Sequence, residues 1–215
     1  MKKILVATIL AVFALGLFGG CEKKIEGNFL PLAVGNSWEF VSNTNDANGN
    51  PISARVRISG KVKVGNDDCY EADTYYNVGG AGQLLTKEYF AVRPDGVYSC
   101  KKDDFDAKKN AFSENLAIPP QKVLPSELKI GEKWNWKGKI GDLELEANTE
   151  VQGQDKVTVF GKEYDCVIVY TEATTKGSDY LTSKKWYAPG VGYVKEEAVI
   201  GKLVIMDMKD FNVQK

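Results

Sequence analysis

Apolar and polar residues alternate along most of the chain with a period of two. Ala54, Val56 and Ile58 fall on one side of such a segment, and Arg55 and Arg57 fall on the other. This alternation is typical of an antiparallel strand with one buried face. We therefore interpret the basic residues as the solvated face of a strand rather than as a nucleic-acid groove.

Clusters of Gly, Pro, Asn and Asp separate these runs and predict turns. Asn48-Gly49 favours a hairpin turn within residues 43–51, and Gly60 predicts a bulge. We expect about a dozen strands in a mainly β protein with at most one or two short helices. In the second half, strands are predicted at residues 133–139, 143–152, 156–160, 164–172, 180–188, 192–200 and 203–213.

Residues 103–122 break the alternation and are predicted to form a linker. The stretch can hold a short helix that ends before Pro119-Pro120. Its acidic residues Asp103, Asp104 and Asp106 can bind a divalent cation, or they can belong to a solvated loop. Because no further oxygen ligands follow at a regular spacing, we favour the loop.

The two halves of the chain match one another. They have the same order of a Pro/Gly turn, a Trp strand, a long hairpin, a Tyr strand and an aromatic pair. We predict a first β repeat at residues 29–102 and a second at residues 123–215. The matched pairs are Gly35 with Gly131, Trp38 with Trp134, Tyr70 with Tyr164, Tyr76 with Tyr170, Phe90 with Tyr187 and Gly96 with Gly192.

Each repeat is expected to make one antiparallel sheet with one apolar face, which must be covered. The two units can pack face to face as a sandwich. They can also join edge to edge into a curved sheet or half-barrel, because an open sheet of many strands curls. We expect the two units to form one domain.

The amino terminus has the order of a secretory signal peptide. Lys2 and Lys3 precede an uncharged run from residue 4 to residue 18, and Gly19-Gly20 follow. The run is shorter than the roughly 20 apolar residues that a spanning helix needs. We therefore predict that residues 1–20 are removed.

Cys21 directly after the small residues resembles a bacterial lipobox, although Phe18 stands where Leu is usual. The resemblance implies cleavage before Cys21, acylation of this residue and a membrane attachment by lipid. It also implies the outer membrane as destination, because Glu22 rather than Asp follows. Residues 21–28 are then a lipidated tether, with the domain on the periplasmic side. The alternative is an ordinary signal peptide whose Cys21 joins a disulfide.

Two further motifs resemble those of uncharacterised bacterial lipoproteins. They are FLPLAVGNSWEF at residues 29–40 and KKWYAPGVGYVK at residues 184–195. Part of that group is thought to share the curved sheet of periplasmic lipoprotein carriers, which implies a cradle for a lipid or acyl chain. These motifs consist of turns and aromatic residues and imply no catalytic residue.

The net charge limits the kinds of partner that the protein can bind, and the cysteines limit the disulfides that it can form. The formal net charge of -1 argues against a nucleic-acid partner and gives no polybasic membrane contact. Outside the cytosol, the three cysteines other than Cys21 allow one disulfide, and we expect it between Cys69 and Cys100. Cys166 lies in an apolar run and is interpreted as a buried small side chain.

The chain has no histidine, which removes the commonest general base and metal ligand. Nucleotide-binding and nucleophile motifs are absent as well, so we expect no enzyme, no cofactor and no metal. A glycosidase with paired carboxylates is the remaining enzymatic alternative. Its candidates Glu144, Glu146 and Glu150 alternate on one strand face, which indicates solvated surface.

The sequence thus favours a lipid-anchored envelope lipoprotein whose non-catalytic β domain binds another envelope component. The alternative is a carrier or sensor of an apolar ligand, such as a lipid or acyl chain, in a β cavity. Its candidate lining is Trp38, Trp134, Trp136 and Trp186, although we favour ordinary core packing as the explanation of these aromatic residues.

Overall fold

The computed structural model describes residues 24–78, 81–176, 178–200 and 202–214. All regular elements of these residues are strands, so the described part of the chain contains no helix. In particular, it has no helix that is long and apolar enough to cross a membrane. The predicted signal peptide and Cys21 lie outside the described residues.

Twelve strands form a closed antiparallel barrel, and two short strands, β1 and β8, pair with each other outside it. The order around the barrel is β2 to β7, then β9 to β14, and back to β2. The bounds are β1 Lys24–Ile25, β2 Ser37–Asn45, β3 Pro51–Val64, β4 Asp67–Val78, β5 Ala81–Arg93, β6 Gly96–Asp106, β7 Ala111–Pro125, β8 Leu128–Lys129, β9 Lys133–Ile140, β10 Leu143–Val159, β11 Lys162–Thr175, β12 Ser178–Ala188, β13 Gly192–Ile200 and β14 Lys202–Asn212.

The predicted antiparallel β architecture is confirmed, but the predicted half-barrel or sandwich is wrong. β7 pairs with β9, and β14 pairs with β2. Each six-strand unit therefore hydrogen-bonds both of its edges to the other unit, which closes the sheet. The strands predicted in the second half are present, with 143–152 and 156–160 joined in one strand, β10.

The predicted linker and helix at residues 103–122 are also wrong. This stretch forms most of the β6–β7 hairpin, whose first strand ends at Asp106 and whose second begins at Ala111. The Asp106 carboxylate accepts a hydrogen bond from the backbone N–H of Lys108 at 2.9 Å, which stabilises a turn rather than a helix. The first unit consequently extends to Pro125 instead of ending at residue 102.

The two units correspond strand by strand. Gly35 and Gly131 both have positive φ, at 97° and 85°. Their N–H groups donate to equivalent carbonyls, those of Ile58 (2.9 Å) and Val151 (2.8 Å). The predicted bulge at Gly60 is present, and a matching bulge lies at Gly153. The duplication itself stays a prediction, supported by these equivalences.

The structure corrects one part of the predicted alignment. Gly60 and Gly153 are equivalent, and two residues further on their strands pair with Cys69 and Cys166. β4 and β11 therefore match at an offset of 97 residues. The predicted Tyr70–Tyr164 match, at an offset of 94, is wrong because it ignores the different lengths of the two hairpins.

The predicted tether belongs to the fold from Lys24 onward. β1 pairs with β8, and the carbonyl of Asn28 accepts a hydrogen bond from the N–H of Gly190 at 2.8 Å. Phe29 is buried among Leu124, Leu128 and Val167. The amino-terminal segment thus packs across one end of the barrel, because its apolar side chains cover the core there.

We call this end the N-terminal end. Since consecutive strands are antiparallel, the β3–β4, β5–β6, β10–β11 and β12–β13 turns lie at the N-terminal end, together with β1 and β8. The other six turns of the barrel lie at the opposite end, which we call the distal end.

Asn36 connects the amino-terminal segment to the carboxyl terminus. Its side chain is fully buried, donates to the carbonyl of Pro31 at 2.7 Å and accepts from the N–H of Gln214 at 2.9 Å. The Asn36 carbonyl also accepts a hydrogen bond from Ile58. Removing this side chain leaves two buried polar groups without partners.

We therefore expect Asn36→Ala to lower the free energy of unfolding by about 2 kcal/mol. Urea unfolding followed by tryptophan fluorescence measures this change. Asn148→Ala, on the exposed outer face of β10, is the control and should unfold near the wild-type midpoint. Equal midpoints for all three proteins would contradict the role assigned to Asn36.

Candidate functional site

Two cross-strand pairs of opposite charge face the interior of the barrel. Lys185 lies opposite Glu196 in β12–β13, and Glu88 lies opposite Lys102 in β5–β6. Alternate residues of a strand share a face. The inward direction of Lys185 follows because Ser183 and Tyr187, two residues before and after it, are both buried.

Tyr76 of β4 brings the two pairs into one site. Its hydroxyl lies within electrostatic range of Lys102, Glu88, Glu196 and Lys185. These strands belong to opposite walls of the barrel, so the five side chains surround a common space. We call this space the lumen.

The lumen is open rather than filled by side chains. Lys185 and Glu196 face inward, yet their side chains are 33% and 21% exposed. Lys102, nearer the distal end, is 42% exposed. An inward side chain that is still accessible must border open space, so the lumen opens towards the distal end.

Aromatic side chains form the floor of the lumen. Tyr193 stacks on Phe40 with ring centroids 4.7 Å apart, and Tyr187 meets Tyr193 edge to face at 6.2 Å. The ammonium group of Lys185 lies 4.9 Å from the centre of the Tyr193 ring. Below this layer, Trp38 donates its indole N–H to the carbonyl of Val191 at 2.5 Å. The floor separates the lumen from the packed N-terminal end.

Lys185 is held in its charged ammonium form. Burial alone lowers the pKa of Lys185, but the negative charge of Glu196, the tyrosines of the floor and Glu88 raise it above the ordinary value. Burial raises the pKa of Tyr193. The ammonium of Lys185 lies 3.5 Å from Glu196, whose carboxylate also accepts a hydrogen bond from Ser183 at 2.9 Å.

The two pairs occupy equivalent places in the two units with their charges exchanged. Phe90 matches Tyr187 at an offset of 97 residues, so Glu88 matches Lys185. Their cross-strand partners are Lys102 and Glu196. The two pairs therefore place a cation and an anion on each of two opposing walls of the lumen. Asp104, two residues after Lys102 on the same face of β6, adds a carboxylate 3.7 Å from the ammonium of Lys102.

The four tryptophans predicted as a ligand lining do not converge on one cavity. They lie in three different side-chain clusters, and Trp186 is buried on the strand face opposite Lys185, between Lys184 and Lys195. Each indole N–H is already hydrogen-bonded within the protein. The acceptors are the carbonyls of Val191 (for Trp38), Lys122 (for Trp134, 3.1 Å) and Pro119 (for Trp136, 2.9 Å) and the carboxylate of Asp155 (for Trp186, 3.2 Å).

The three cysteines of the described residues are free and buried. Cys69 and Cys100 are packed in the same buried cluster, although β5 lies between their strands. Burial, with the neighbouring Cys100, raises the pKa of Cys69 to about 12, and burial raises that of Cys166 to about 11. The predicted disulfide stays a prediction, while the interpretation of Cys166 as a buried side chain is confirmed.

A second charged cluster lies on the outer face of the first unit. Lys87 pairs with Glu71 at 2.7 Å and stands 3.9 Å from Asp73. Lys101 pairs with Asp103 at 2.9 Å. One carboxylate oxygen of Asp73 is buried without a hydrogen-bond partner.

The acidic residues predicted from sequence as a possible cation site do not come together. Asp103 and Asp104 are consecutive in β6, so they point to opposite faces, and Asp106 lies at the following turn. No group of three or more His, Cys, Asp or Glu side chains is placed to hold a metal ion within the described ranges.

The glycosidase candidates Glu144, Glu146 and Glu150 lie along the outer face of β10. Each is paired with a lysine of β9, namely Lys139 (3.0 Å), Lys137 and Lys133 (3.5 Å), respectively. Their arrangement is a ladder of surface ion pairs rather than two carboxylates across a cleft.

Two shallow grooves lie on equivalent outer faces of the two units. The groove on β9–β11, about 430 Å³, includes Lys133, Glu150, Tyr170 and Glu172. The groove on β2–β4, about 400 Å³, includes Glu39, Arg55, Arg57 and Tyr75. Both grooves are open to solvent along strand surfaces.

No protein family model matches the chain, and no curated protein is significantly similar to it. Among solved structures, it is similar to a predicted lipoprotein from Parabacteroides distasonis, with 14% identity and a TM-score of 0.45, over 86% of this chain and 99% of that chain. It is also similar to a predicted exported protein with a YmcC-like fold from Bacteroides fragilis, with 13% identity and a TM-score of 0.44, over 86% of this chain and 99% of that chain. The hypothetical lipoprotein YmcC from Escherichia coli K12 is similar with 12% identity and a TM-score of 0.35, over 84% of this chain and 86% of that chain. These values are too low to carry a conclusion about function.

Sequence reasoning missed the charged residues of the lumen. The signal was present in the matched segments KEYF and KKWY, where Glu88 and Lys185 stand two residues before an aromatic residue of the inner face. A charged residue in phase with buried neighbours indicates either a pair in the core or a solvated interior.

The outer-face cluster gives a pH-dependent prediction. Burial raises the pKa of Asp73, so the folded protein binds this proton more tightly than the unfolded chain does. The contribution of Asp73 to stability therefore falls as the pH rises through the acid range. Asp73→Asn removes this loss and is expected to increase the free energy of unfolding at pH 7 by about 1 kcal/mol, with a smaller gain at pH 4.

Urea unfolding at pH 4, 5, 6 and 7 measures this difference. Asp103→Asn is the matched control on the same face, and it should destabilise the protein at pH 7. Its carboxylate pairs with Lys101 and accepts a hydrogen bond from Tyr89 at 3.2 Å. A loss of stability for Asp73→Asn that equals that of the control would contradict the assignment.

Proposed function

We propose that the protein is a lipid-anchored lipoprotein of the cell envelope whose non-catalytic barrel binds another envelope component in its lumen. The observation that carries the proposal is that Lys185 and Glu196 face the interior and remain accessible. A fold that needed only a packed core would place apolar side chains there, because burying charge is costly. Charged groups on two opposing walls are suited to hold a ligand.

The lining favours a small polar ligand that carries both a positive and a negative group. Each wall offers an ammonium and at least one carboxylate, and Ser183 and Tyr76 add hydroxyl groups. An acyl chain would exclude water from these charged pairs, which counts against the alternative of an apolar cargo because the desolvation of charges is costly. The aromatic floor of Phe40 and Tyr193 can stack against a flat or apolar part of the same ligand.

The non-catalytic character rests on the chemistry of the side chains. The chain has no histidine, and the lumen carboxylates Glu88 and Glu196 each lie opposite a lysine. Cys21 supplies the membrane attachment, and Glu22 favours the outer membrane, with the barrel on the periplasmic side. We propose neither a nucleic-acid partner nor a cofactor for the protein.

Lys185→Met is expected to abolish ligand retention, because it removes the cation of one wall while keeping the length of the side chain. The full chain is purified from membranes in detergent, and the bound small molecules are extracted and quantified per mole of protein by mass spectrometry. Lys184→Met is the matched control, since Lys184 is the next residue on β12 and lies over the outer Trp186 ring.

Wild type and Lys184→Met should carry the same polar molecule, and Lys185→Met should carry none while keeping the wild-type circular dichroism spectrum. Equal loading of all three proteins would place the ligand outside the lumen. Extraction of only fatty acid or lipid from the wild type would favour the apolar carrier instead.

Cys21→Ser is expected to move the protein from the membrane fraction to the soluble periplasmic fraction, because it removes the acylated side chain. Cell fractionation with immunoblotting measures this shift. Cys166→Ala is the control that alters a buried thiol and should stay in the membrane fraction. A Cys21→Ser protein that remains in the membrane fraction would overturn the anchor.

A further inference from the structure

Exposed apolar side chains are concentrated at the N-terminal end of the barrel. Nine large apolar side chains are exposed in the described residues, and five of them lie at or beside the turns of this end. Single exposed apolar residues are ordinary on a protein surface, but a shared location needs a reason. The five are Val34, Val62, Val92, Ile130 and Phe160.

Phe160 is the most unusual of them. It forms the tip of the β10–β11 hairpin with Gly161, and the two residues have φ values of 51° and 72°. Turns with two positive φ values favour Asn and Gly, and a bulky residue is disfavoured there. Phe160 is nevertheless 62% exposed, so its ring gains little burial within the fold in return for the strain.

The equivalent hairpin of the first unit shows what the turn itself requires. In the β3–β4 turn only Gly65 has a positive φ, at 58°, and the exposed Gly65 and Asn66 bury nothing. The aromatic ring at position 160 is therefore not demanded by the hairpin. It is available for a contact outside the described fold.

The other exposed side chains occur in both units. Val34 and Ile130 directly precede the equivalent glycines Gly35 and Gly131, and they are 47% and 41% exposed. Val62 lies on the hairpin that corresponds to the one with Phe160. Because apolar residues project from both halves of the same end, they suit a broad surface rather than a single pocket.

The chain enters the fold at this same end. Lys24 begins β1, which pairs with β8, and Cys21 precedes it by three residues. Three residues span at most about 11 Å, even when fully extended. A lipid on Cys21 therefore holds the N-terminal end of the barrel against the membrane surface.

We propose that the N-terminal end of the barrel docks on the lipid surface that carries the anchor, with the side chains of Phe160 and Val34 in the boundary between headgroups and acyl chains. This inference rests on the lipid anchor of the proposed function. Aromatic and aliphatic side chains at the interface add binding strength to a lipid anchor. The mouth of the lumen, at the distal end, then faces away from this membrane.

The docking contact is apolar rather than electrostatic. Charged residues near the Phe160 hairpin and its counterpart are paired with each other, as Lys156 is with Glu163 and Lys63 is with Asp68 (3.2 Å). Such local pairs reduce the cationic charge that these two hairpins present to anionic lipids. The contact should therefore persist at high salt.

Site-directed spin labelling of the full lipidated chain tests the proposal. Phe160→Cys and Val34→Cys are labelled in separate proteins and reconstituted into vesicles of phosphatidylethanolamine and phosphatidylglycerol. Asn48→Cys, in the β2–β3 turn at the distal end, is the matched control. Cys69, Cys100 and Cys166 are buried and Cys21 is acylated, so the label is confined to the introduced thiol.

Labels at positions 160 and 34 are expected to collide severalfold more often with oxygen, which is lipid-soluble, than with a water-soluble nickel chelate. The label at position 48 should show the reverse preference. The difference should be unchanged when salt is raised, because no ion pairs to lipid are involved.

Water-like accessibility at both 160 and 34 in protein that floats with the vesicles would overturn the docking and leave the anchor intact. A wild-type protein that does not float with the vesicles would instead overturn the anchor itself. Shielding from both reagents at position 160 would indicate a contact between protein copies and would also overturn the lipid contact.

Discussion

Every six-strand unit of this protein has two edges whose backbone N–H and C=O groups need partners. The other unit supplies those partners, through β7 with β9 and β14 with β2. An unpaired strand edge can pair with another chain, so each unit alone would be prone to aggregation. Closure by hydrogen bonding between the units therefore determines the barrel, its interior and the two different ends that the interior connects.

The interior of the barrel has two parts, a packed core near the N-terminal end and the lumen towards the distal end. Near the N-terminal end, the segment around Phe29 and the buried Asn36 occupy the space, and the core is packed as in any globular domain. Towards the distal end, no segment enters the barrel in the described residues. The inward side chains of Glu88, Lys102 and Lys185 can then remain charged, because water or a ligand reaches them.

The strands could be predicted from the sequence because a period of two survives even where the sheet is strongly curved. The closure of the barrel could not be predicted, because the alternation shows which face of a strand is apolar but not which strand lies beside it. The hairpin of residues 103–122 was misread because Pro119-Pro120 and the acidic residues were taken as a break, although β7 continues through the prolines. The lumen was missed for a related reason. A solvated interior gives Lys185 the same pattern as an ordinary outer face, and only the barrel's closure tells the two apart.

The pairing of β2, the first long strand, with β14, the last strand, affects how the protein folds. β2 and β14 are neighbours in the barrel, and Asn36 contacts Gln214 across 178 residues of sequence. Contacts between such distant residues form slowly, because a long loop must close before any stabilisation is gained. The sheet keeps two open edges until its final strand, β14, has paired with β2. The protein is thus exposed to faulty edge pairing until the last part of its chain is in place.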